Sequence, residues 1–530
     1  MGPDTSHQST VDAAPLRMMA GRSRRARALL LAAVAACAAC GLIYELVLLT
    51  LSVNLTGGGI TQTSLIVAGY VAALGVGALL AKPFLAHAAT VFVAVEILLG
   101  VAGGLSAVAL YVTFSFYGTS TSVLVAATAV LGILVGAEVP LLMTLLQAGR
   151  SEVNAQSTGK VLANLNAADY AGALAGGLAW PFMLLPLAGQ VRGAALTGMV
   201  NLIAAAIVAA FLLRSQLSRG ARHGSTAALL AAAALLGLLL VRSADIEVTA
   251  RQRLYADPVV AAVQSNHQQI VVTERGGDVR LYLDGDLQFS SLDEHRYTEA
   301  LVHPALARDP QRVLILGGGD GLVTRDVLAH PSVREVVQAE LDPAVVELAN
   351  TRLVDLNNRS LQDPRVTLVI DDAFRWLRER PAQGFDAVIV DLPDPDTPVL
   401  GRLYSTEFYD LVAAALNPGG LVVVQSGSPY STPTAYWRIV STVASAGLAV
   451  TPYHVHVPSF GDWGFTLAQR GGVPPELSLS PSAPALRFLD SAVLRAAAVF
   501  PRDRSAQQLA PSTLDQPRVV QDLRQGYAGQ

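Results

Sequence analysis

The sequence predicts two unlike domains in one chain: a multi-span α-helical membrane domain, then an α/β domain built on a parallel sheet with helices on both faces. Three observations carry that prediction. Apolar segments of spanning length crowd residues 28–241, and from 312 onward β-type apolar runs alternate with helical stretches. Charge also divides unevenly. Residues 1–242 hold 13 Lys and Arg against 7 Asp and Glu, which leaves 24 against 34, a formal −10, in 243–530. Over all 530 residues 15% are charged and 52% hydrophobic, where a soluble domain averages about 25% charged. Lipid around the first part accounts for the difference. The acidic second part argues against nucleic acid as a partner and suits a cationic ligand.

Residues 1–27 are polar and end in Arg22, Arg24, Arg25 and Arg27, which predicts a cytoplasmic N-terminal tail. A helical membrane domain over 28–242 follows, with apolar segments near 28–51, 60–81, 89–116, 121–146, 165–188, 194–213 and 226–241. Most reach the length a spanning helix needs. The last, with 16 residues, suits an interfacial position as well as a span. The first is too long for a cleavable signal and is followed by further spans. Gly69, Gly75, Gly77, Gly172, Gly176 and Gly177 permit helices to approach closely. Glu45, Glu96, Glu138 and Asp169 either mark a transport path or anchor helices to one another. Lys82, Arg150, Lys160, Arg214, Arg219 and Arg222 follow alternate segments; seven spans counted this way put the second domain outside the cell.

Cys37 and Cys40 are the only cysteines, so no disulfide framework and no Cys-based zinc site is expected, and no metal site. Their spacing reads as small residues in a membrane helix. No lysine follows Lys160, which removes Schiff-base chemistry from the second domain.

A small β-hairpin subdomain is expected over 250–305, because strand-like runs at 269–273 and 279–283 flank Arg275-Gly276-Gly277-Asp278. The main α/β domain covers 306–503, with strands at 312–316, 335–339, 366–370, 386–391 and 420–425 separated by helical runs. A helical segment near 486–499 follows a Pro/Ser-rich stretch, and 504–530 reads as a mobile polar tail.

The chemistry gathers at the ends of these strands. Val313-Leu314-Ile315-Leu316 runs into Gly317-Gly318-Gly319-Asp320-Gly321 and a helix, a turn that admits close approach of a ligand to the backbone. The next strand ends in Glu340-Leu341-Asp342, where an acidic side chain accepts from ribose hydroxyls, and the third in Asp371-Asp372-Ala373, level with an adenine edge. Asp320 breaks the dinucleotide pattern, since a carboxylate in the glycine loop repels a pyrophosphate. An adenosine with a cationic tail, such as a sulfonium nucleoside, fits better. The fourth strand delivers Asp391-Leu392-Pro393-Asp394-Pro395-Asp396. Paired carboxylates there suit binding an amine and taking its proton, although alone the run reads equally well as a Pro-bracketed surface turn.

Leu283-Asp284-Gly285-Asp286-Leu287-Gln288, Asp293 to Glu299, His303-Pro304, the glycine loop and Asp391–Pro395 occur in the order and spacing of the spermidine synthases. Over roughly 255–503 the chain resembles the polyamine aminopropyltransferases, in their multi-span, membrane-attached branch. The resemblance implies a Rossmann-like, methyltransferase-type fold. It implies transfer of the aminopropyl group of decarboxylated S-adenosylmethionine to putrescine, giving spermidine and methylthioadenosine, with no cofactor beyond that co-substrate. Gln268, Gln288, Asp320, Glu340, Asp372 and Ala373 would then bind the donor, with Asp320 on the aminopropyl ammonium. Asp391 and Tyr297 would be the catalytic pair, and Asp394, with Tyr297, would hold the acceptor. Thr298 and Phe460 depart from the residues usual at those acceptor-side positions. The family's pathway places the catalytic domain in the cytoplasm, against the charge count, and a homo-oligomer is compatible with it. Two rivals stay open: a methyltransferase using intact S-adenosylmethionine, against which Asp320 speaks, and a membrane transporter or sensor whose second domain only binds polyamine.

Overall fold

The computed structural model describes residues 24–56, 60–147, 155–379 and 384–528. All but the last four residues of the foreseen N-terminal tail lie outside them. The chain divides into two units, 1–256 and 257–530.

In the first unit the helices run Arg24–Thr56, Ile60–Leu80, Ala88–Tyr117, Thr121–Gln147, Ala155–Ala179, Leu185–Ile207 and Arg219–Leu254. Among the described residues six helical stretches are long and apolar enough to cross a membrane, and one of these, Leu162–Leu212, has 51 residues. Gly189, at φ 73° and ψ −175°, breaks it in two, which restores the seven segments read from composition. The seventh is not a 16-residue piece. Ser218 caps it by accepting from the Ala221 N–H, and its apolar stretch Arg219–Ser243 has 25 residues. Apolar residues alone underestimate it because Arg219, Arg222 and His223 sit inside its first turns.

Among the described residues helix pairs touch backbone to backbone at several glycines. A Cβ on Gly77 would stand 2.0 Å from the Ile133 carbonyl, and one on Gly172 2.0 Å from that of Ala35. Gly75, by contrast, faces nothing within 4 Å. Glu96 and Glu138 are buried within the bundle, and the Asn201 amide donates to the Glu96 carbonyl at 2.9 Å.

The second unit opens with a four-stranded antiparallel sheet in the order β1 (Val259–Gln264), β2 (Gln269–Arg275), β3 (Asp278–Leu283) and β4 (Asp286–Ser290). The expected hairpin is its centre. Gly276 and Gly277, at φ 60° and 86°, make the tight turn, whose twist matches that of the strands. The flanking strands escaped the pattern because Ala261, Ala262 and Asp286 give no clear alternation.

The main sheet has seven strands in the order β10-β11-β9-β8-β5-β6-β7, where β5 is Arg312–Gly317, β6 Glu335–Glu340, β7 Val366–Ile370, β8 Phe385–Asp391, β9 Leu416–Gly427, β10 Leu448–Val457 and β11 Gly461–Arg470. β5 to β9 are parallel, but β10 and β11 are antiparallel. The five strands foreseen over 312–425 are the parallel ones, and the antiparallel pair is an addition at the edge. Only Pro458, Ser459 and Phe460 join β10 to β11, far too few for a crossover.

Successive residues of the parallel strands enter different cores. Leu314, Leu316, Val388 and Val390 pack on one face, and Val313, Ile315, Ala387 and Ile389 on the other. Strand order reverses between β5 and β8, and a ligand cleft belongs there, at the carboxyl ends.

A correction concerns 504–530. The segment folds into a helix at Arg518–Ala528 that buries Val519 and Leu523 in the main core, and Arg438 pairs with Asp522. Its apolar stripe is only three residues set among polar ones, which is why it read as tail.

Candidate active site

Strand pairing sets Gly317 beside Asp391, and Asp371 follows β7 where its N–H bonds the Glu340 carbonyl at 3.0 Å. Four carboxylate-bearing loops are thereby brought to one sheet edge. The turn after β5 needs glycine: Gly317 and Gly318 sit at φ 87° and 63°, and a Cβ on Gly317 would fall 2.0 Å from the Asp391 carbonyl. A Cβ on Gly318 would meet Asp391 Oδ2 at 3.2 Å, so the carboxylate lies directly over the loop.

Tyr297, on the helix Glu294–Val302, donates to Asp391 Oδ1 at 2.5 Å. Burial, then the Asp320 charge, push Asp391 up to about 7 against the lowering effect of the Tyr297 bond. Burial also raises the Tyr297 phenol well above its usual value, so it stays protonated and donating. Asp320 accepts the Leu322 N–H at 2.8 Å, yet burial carries it up to about 6. Glu340, packed against Gly319, is pushed by burial to about 7 while accepting the Asp342 N–H at 2.9 Å. Three acids with raised values surround one glycine loop, a setting in which a cationic ligand would favour their ionised forms.

The other foreseen donor residues each have partners of their own. Gln268 donates to Asp342 Oδ2 at 3.1 Å, and Asp342 also caps the helix Pro343–Thr351. Gln288, on β4, donates to the Asp286 carbonyl at 3.1 Å. Asp372 accepts from the Arg375 N–H at 2.9 Å and pairs with Arg402, and Ala373 is buried as the first residue of the helix Ala373–Glu379. Asp372 therefore already holds a cation at its side-chain tip.

In the Asp391–Asp396 loop, the Gln425 amide donates to Asp394 Oδ1 at 2.8 Å. Tyr404, fully buried, donates toward the carbonyls of Leu392 and Pro393, each at 3.0 Å. Burial raises Asp394, and burial followed by the charges of Asp396, Asp394 and Asp284 pushes Asp286 up to about 6. Phe460 stands edge-on to Tyr297 with centroids 5.9 Å apart, held there because Asp293 accepts the Ser459 N–H at 2.6 Å. Thr298 is buried, and its hydroxyl donates to Glu294 at 3.4 Å. Sequence reasoning missed Gln425, Tyr404 and Gln338, whose amide donates to the Gly317 and Gly318 carbonyls at 2.9 and 2.7 Å. A polar side chain inside an otherwise apolar strand was the available signal for both glutamines.

Fold and site together define an α/β transferase of the nucleoside-binding, Rossmann type. A family model described as "Spermine/spermidine synthase domain" matches residues 294–475. A polyamine aminopropyltransferase of Mycobacterium tuberculosis is 63% identical over 95% of this chain and 97% of its own, and one from Corynebacterium efficiens 58% over 97% and 98%. A solved spermidine synthase in complex with the transition-state analogue AdoDATO is 28% identical, covering 46% of this chain and 86% of its own, with a TM-score of 0.43. The chain belongs to the polyamine aminopropyltransferase family.

Proposed function

We propose that the chain moves the aminopropyl group of decarboxylated S-adenosylmethionine onto putrescine, releasing spermidine and methylthioadenosine. The observation that carries this reading is the Tyr297–Asp391 pair seated over a glycine loop that itself contains Asp320. Asp320 attracts the ammonium of the decarboxylated donor and repels the carboxylate of intact S-adenosylmethionine. Glu340 and Asp372 hold the nucleoside, with Gln268, Gln288 and Ala373 beside them. Asp394 takes the far ammonium of the diamine and leaves the near amine beside Asp391.

An alkylamine is protonated at neutral pH, so Asp391 accepts that proton first. The amine's lone pair then attacks the carbon next to the sulfonium sulfur. The carbon–sulfur bond breaks, its electron pair stays on sulfur, and methylthioadenosine leaves uncharged without an acid. Tyr297 keeps the Asp391 carboxylate turned toward the amine.

The test is to incubate the full-length, detergent-solubilised protein with the decarboxylated donor and an amine panel, following methylthioadenosine by mass. Release with putrescine is expected. Release of S-adenosylhomocysteine with a methylated amine from intact S-adenosylmethionine would make the chain a methyltransferase, and binding without release of either nucleoside would make it a sensor.

The first unit, in this reading, spans the cell membrane and holds the catalytic unit on the cytoplasmic side, where both substrates are made. The length and apolarity of its helices support the first part. Retention in membranes after alkaline carbonate washing tests it, and a C-terminal reporter active only outside the cell would reverse the orientation.

A further inference from the structure

The helix Arg518–Ala528 lies beyond the span matched by the family model, residues 294–475, and yet reaches the acceptor carboxylates. Val519, Val520 and Leu523 share a core with Tyr404, the residue under the Asp391–Asp394 loop. Arg524 Nε donates to the Asp396 carbonyl at 2.9 Å. Gly526 lies so near Thr432 that a Cβ would come within 2.8 Å of its methyl group. Tyr527 Oη then reaches Asp394 Oδ2 at 3.4 Å.

That distance is long for a hydroxyl on a carboxylate, where about 2.5–2.7 Å is usual, so Tyr527 does not saturate Asp394. Gln425 already occupies Oδ1. Oδ2 is the oxygen left for a ligand, and Tyr527 is the group beside it. An ammonium brings three N–H donors and no acceptor, and a phenol oxygen can accept as well as donate.

Resting on the acceptor assignment of Asp394, we propose that the C-terminal helix forms the end wall of the acceptor site and that Tyr527 determines which amine fits. Its hydroxyl is the second polar contact, beside Asp394 Oδ2, for the distal ammonium of an aliphatic diamine. Its ring limits how far that chain extends.

The test is steady-state kinetics on the full-length protein with putrescine, the five-carbon diamine cadaverine, and spermidine. Tyr527→Phe keeps the ring and should raise the putrescine KM about tenfold, the loss of one hydrogen bond to a charged group, with kcat and the donor KM unchanged. Tyr527→Ala should raise kcat/KM for cadaverine relative to putrescine by about tenfold or more, on the scale of a pocket gaining one methylene of room. An Asp394→Asn control separates two failures. If it raises the diamine KM while both Tyr527 variants keep the wild-type profile, the helix is no part of the site and the inference is wrong. If kcat and melting temperature fall and the donor KM rises together in Tyr527→Phe, the tyrosine is only a structural prop, and the inference is equally wrong. If wild type releases no methylthioadenosine at all, it is the aminopropyl-transfer reading that falls.

Discussion

The donor side of the site and its acceptor side share one sheet edge but are assembled differently. Of the residues proposed to hold the donor, Asp320, Glu340, Asp372 and Ala373 sit within three residues of the ends of β5, β6 and β7. Each is positioned by the strand that carries it, and neighbouring strands fix the spacing. The acceptor side is gathered from far apart. Tyr297 and Asp391 are 94 residues apart in the chain, and Asp394 and Tyr527 are 133 apart. Gln425 comes from β9, and Phe460 from the β10–β11 turn. In the proposed assignment the main sheet's share of donor recognition is thus a property of strand ends, joined by Gln268 and Gln288 from the smaller sheet, whereas amine selection is a property of packing.

In the proposed mechanism Asp391 is the base, between the residues assigned to donor and acceptor, and its removal should have the largest effect. Asp391→Asn preserves the shape and removes the proton acceptor, so kcat should fall by about 10²–10⁴ with donor affinity nearly intact. Equal loss of donor affinity would mean the sides are not separable. In wild type, activity should rise as pH passes about 7, the value to which Asp391 is pushed, and keep rising as more amine becomes neutral. Stability should move the other way. A carboxyl group raised in the folded state binds more protons there than in the unfolded chain, so it favours folding less as pH climbs from about 4 to about 7. Ligand-free Asp391→Asn should therefore melt above wild type at pH 8 in a thermal scan.

The next effect isolates the donor side. Asp320→Asn removes one charge-assisted contact, which should weaken decarboxylated donor binding roughly ten- to a hundredfold and narrow its advantage over S-adenosylmethionine. An unchanged preference between the two, measured by competition, would remove Asp320 from the ammonium site. Because Asp320 is pushed up to about 6, wild-type donor affinity should also decline as pH falls through that value.

The same contrast explains what could be read from the chain before folding. The glycine loop, the acids twenty residues on and the Asp391–Asp396 run were legible because each is a strand-end feature at fixed local spacing. The seven apolar segments were legible because spanning helices need length and composition, not partners. The Thr298 bond to Glu294 was not legible, because it depends on the side-chain direction at one helical position. Tyr527 was hidden in an apparently mobile tail, since three buried residues among eleven leave almost no periodic signal. The antiparallel edge depended on a three-residue connection whose brevity shows only once both strand ends are known.

Asp394→Asn should act on the other side alone. Removing the counter-charge for the far ammonium should raise the putrescine KM about tenfold, with kcat changed little at saturation and the donor KM not at all. A series of diamines and monoamines would show the penalty shrinking for the monoamines, which have no second ammonium to lose. A uniform penalty across the series would assign Asp394 to holding the loop instead.

The smallest effect tests whether packing alone tunes the acceptor side. Tyr404 touches no substrate in this reading. Its hydroxyl supports the loop between the two functional aspartates through the Leu392 and Pro393 carbonyls and lies 3.4 Å from Gln425 Oε1, whose amide in turn orients Asp394. In Tyr404→Phe the ring still fills the core, and the change is the loss of one buried donor shared among three acceptors. Such a bond contributes about 1 kcal/mol net, or roughly fivefold in an equilibrium. The loop should loosen, the putrescine KM should rise about three- to fivefold, and the melting temperature should drop by a few degrees, on the order of 1 kcal/mol at this size. Donor KM should stay at the wild-type value, because Gly317–Asp320 is braced independently by Gln338 and Asn357. A donor KM that rises in step with the putrescine KM would show that the β8 loop serves both substrates, and the division into a strand-end donor side and a packed acceptor side would have to be given up.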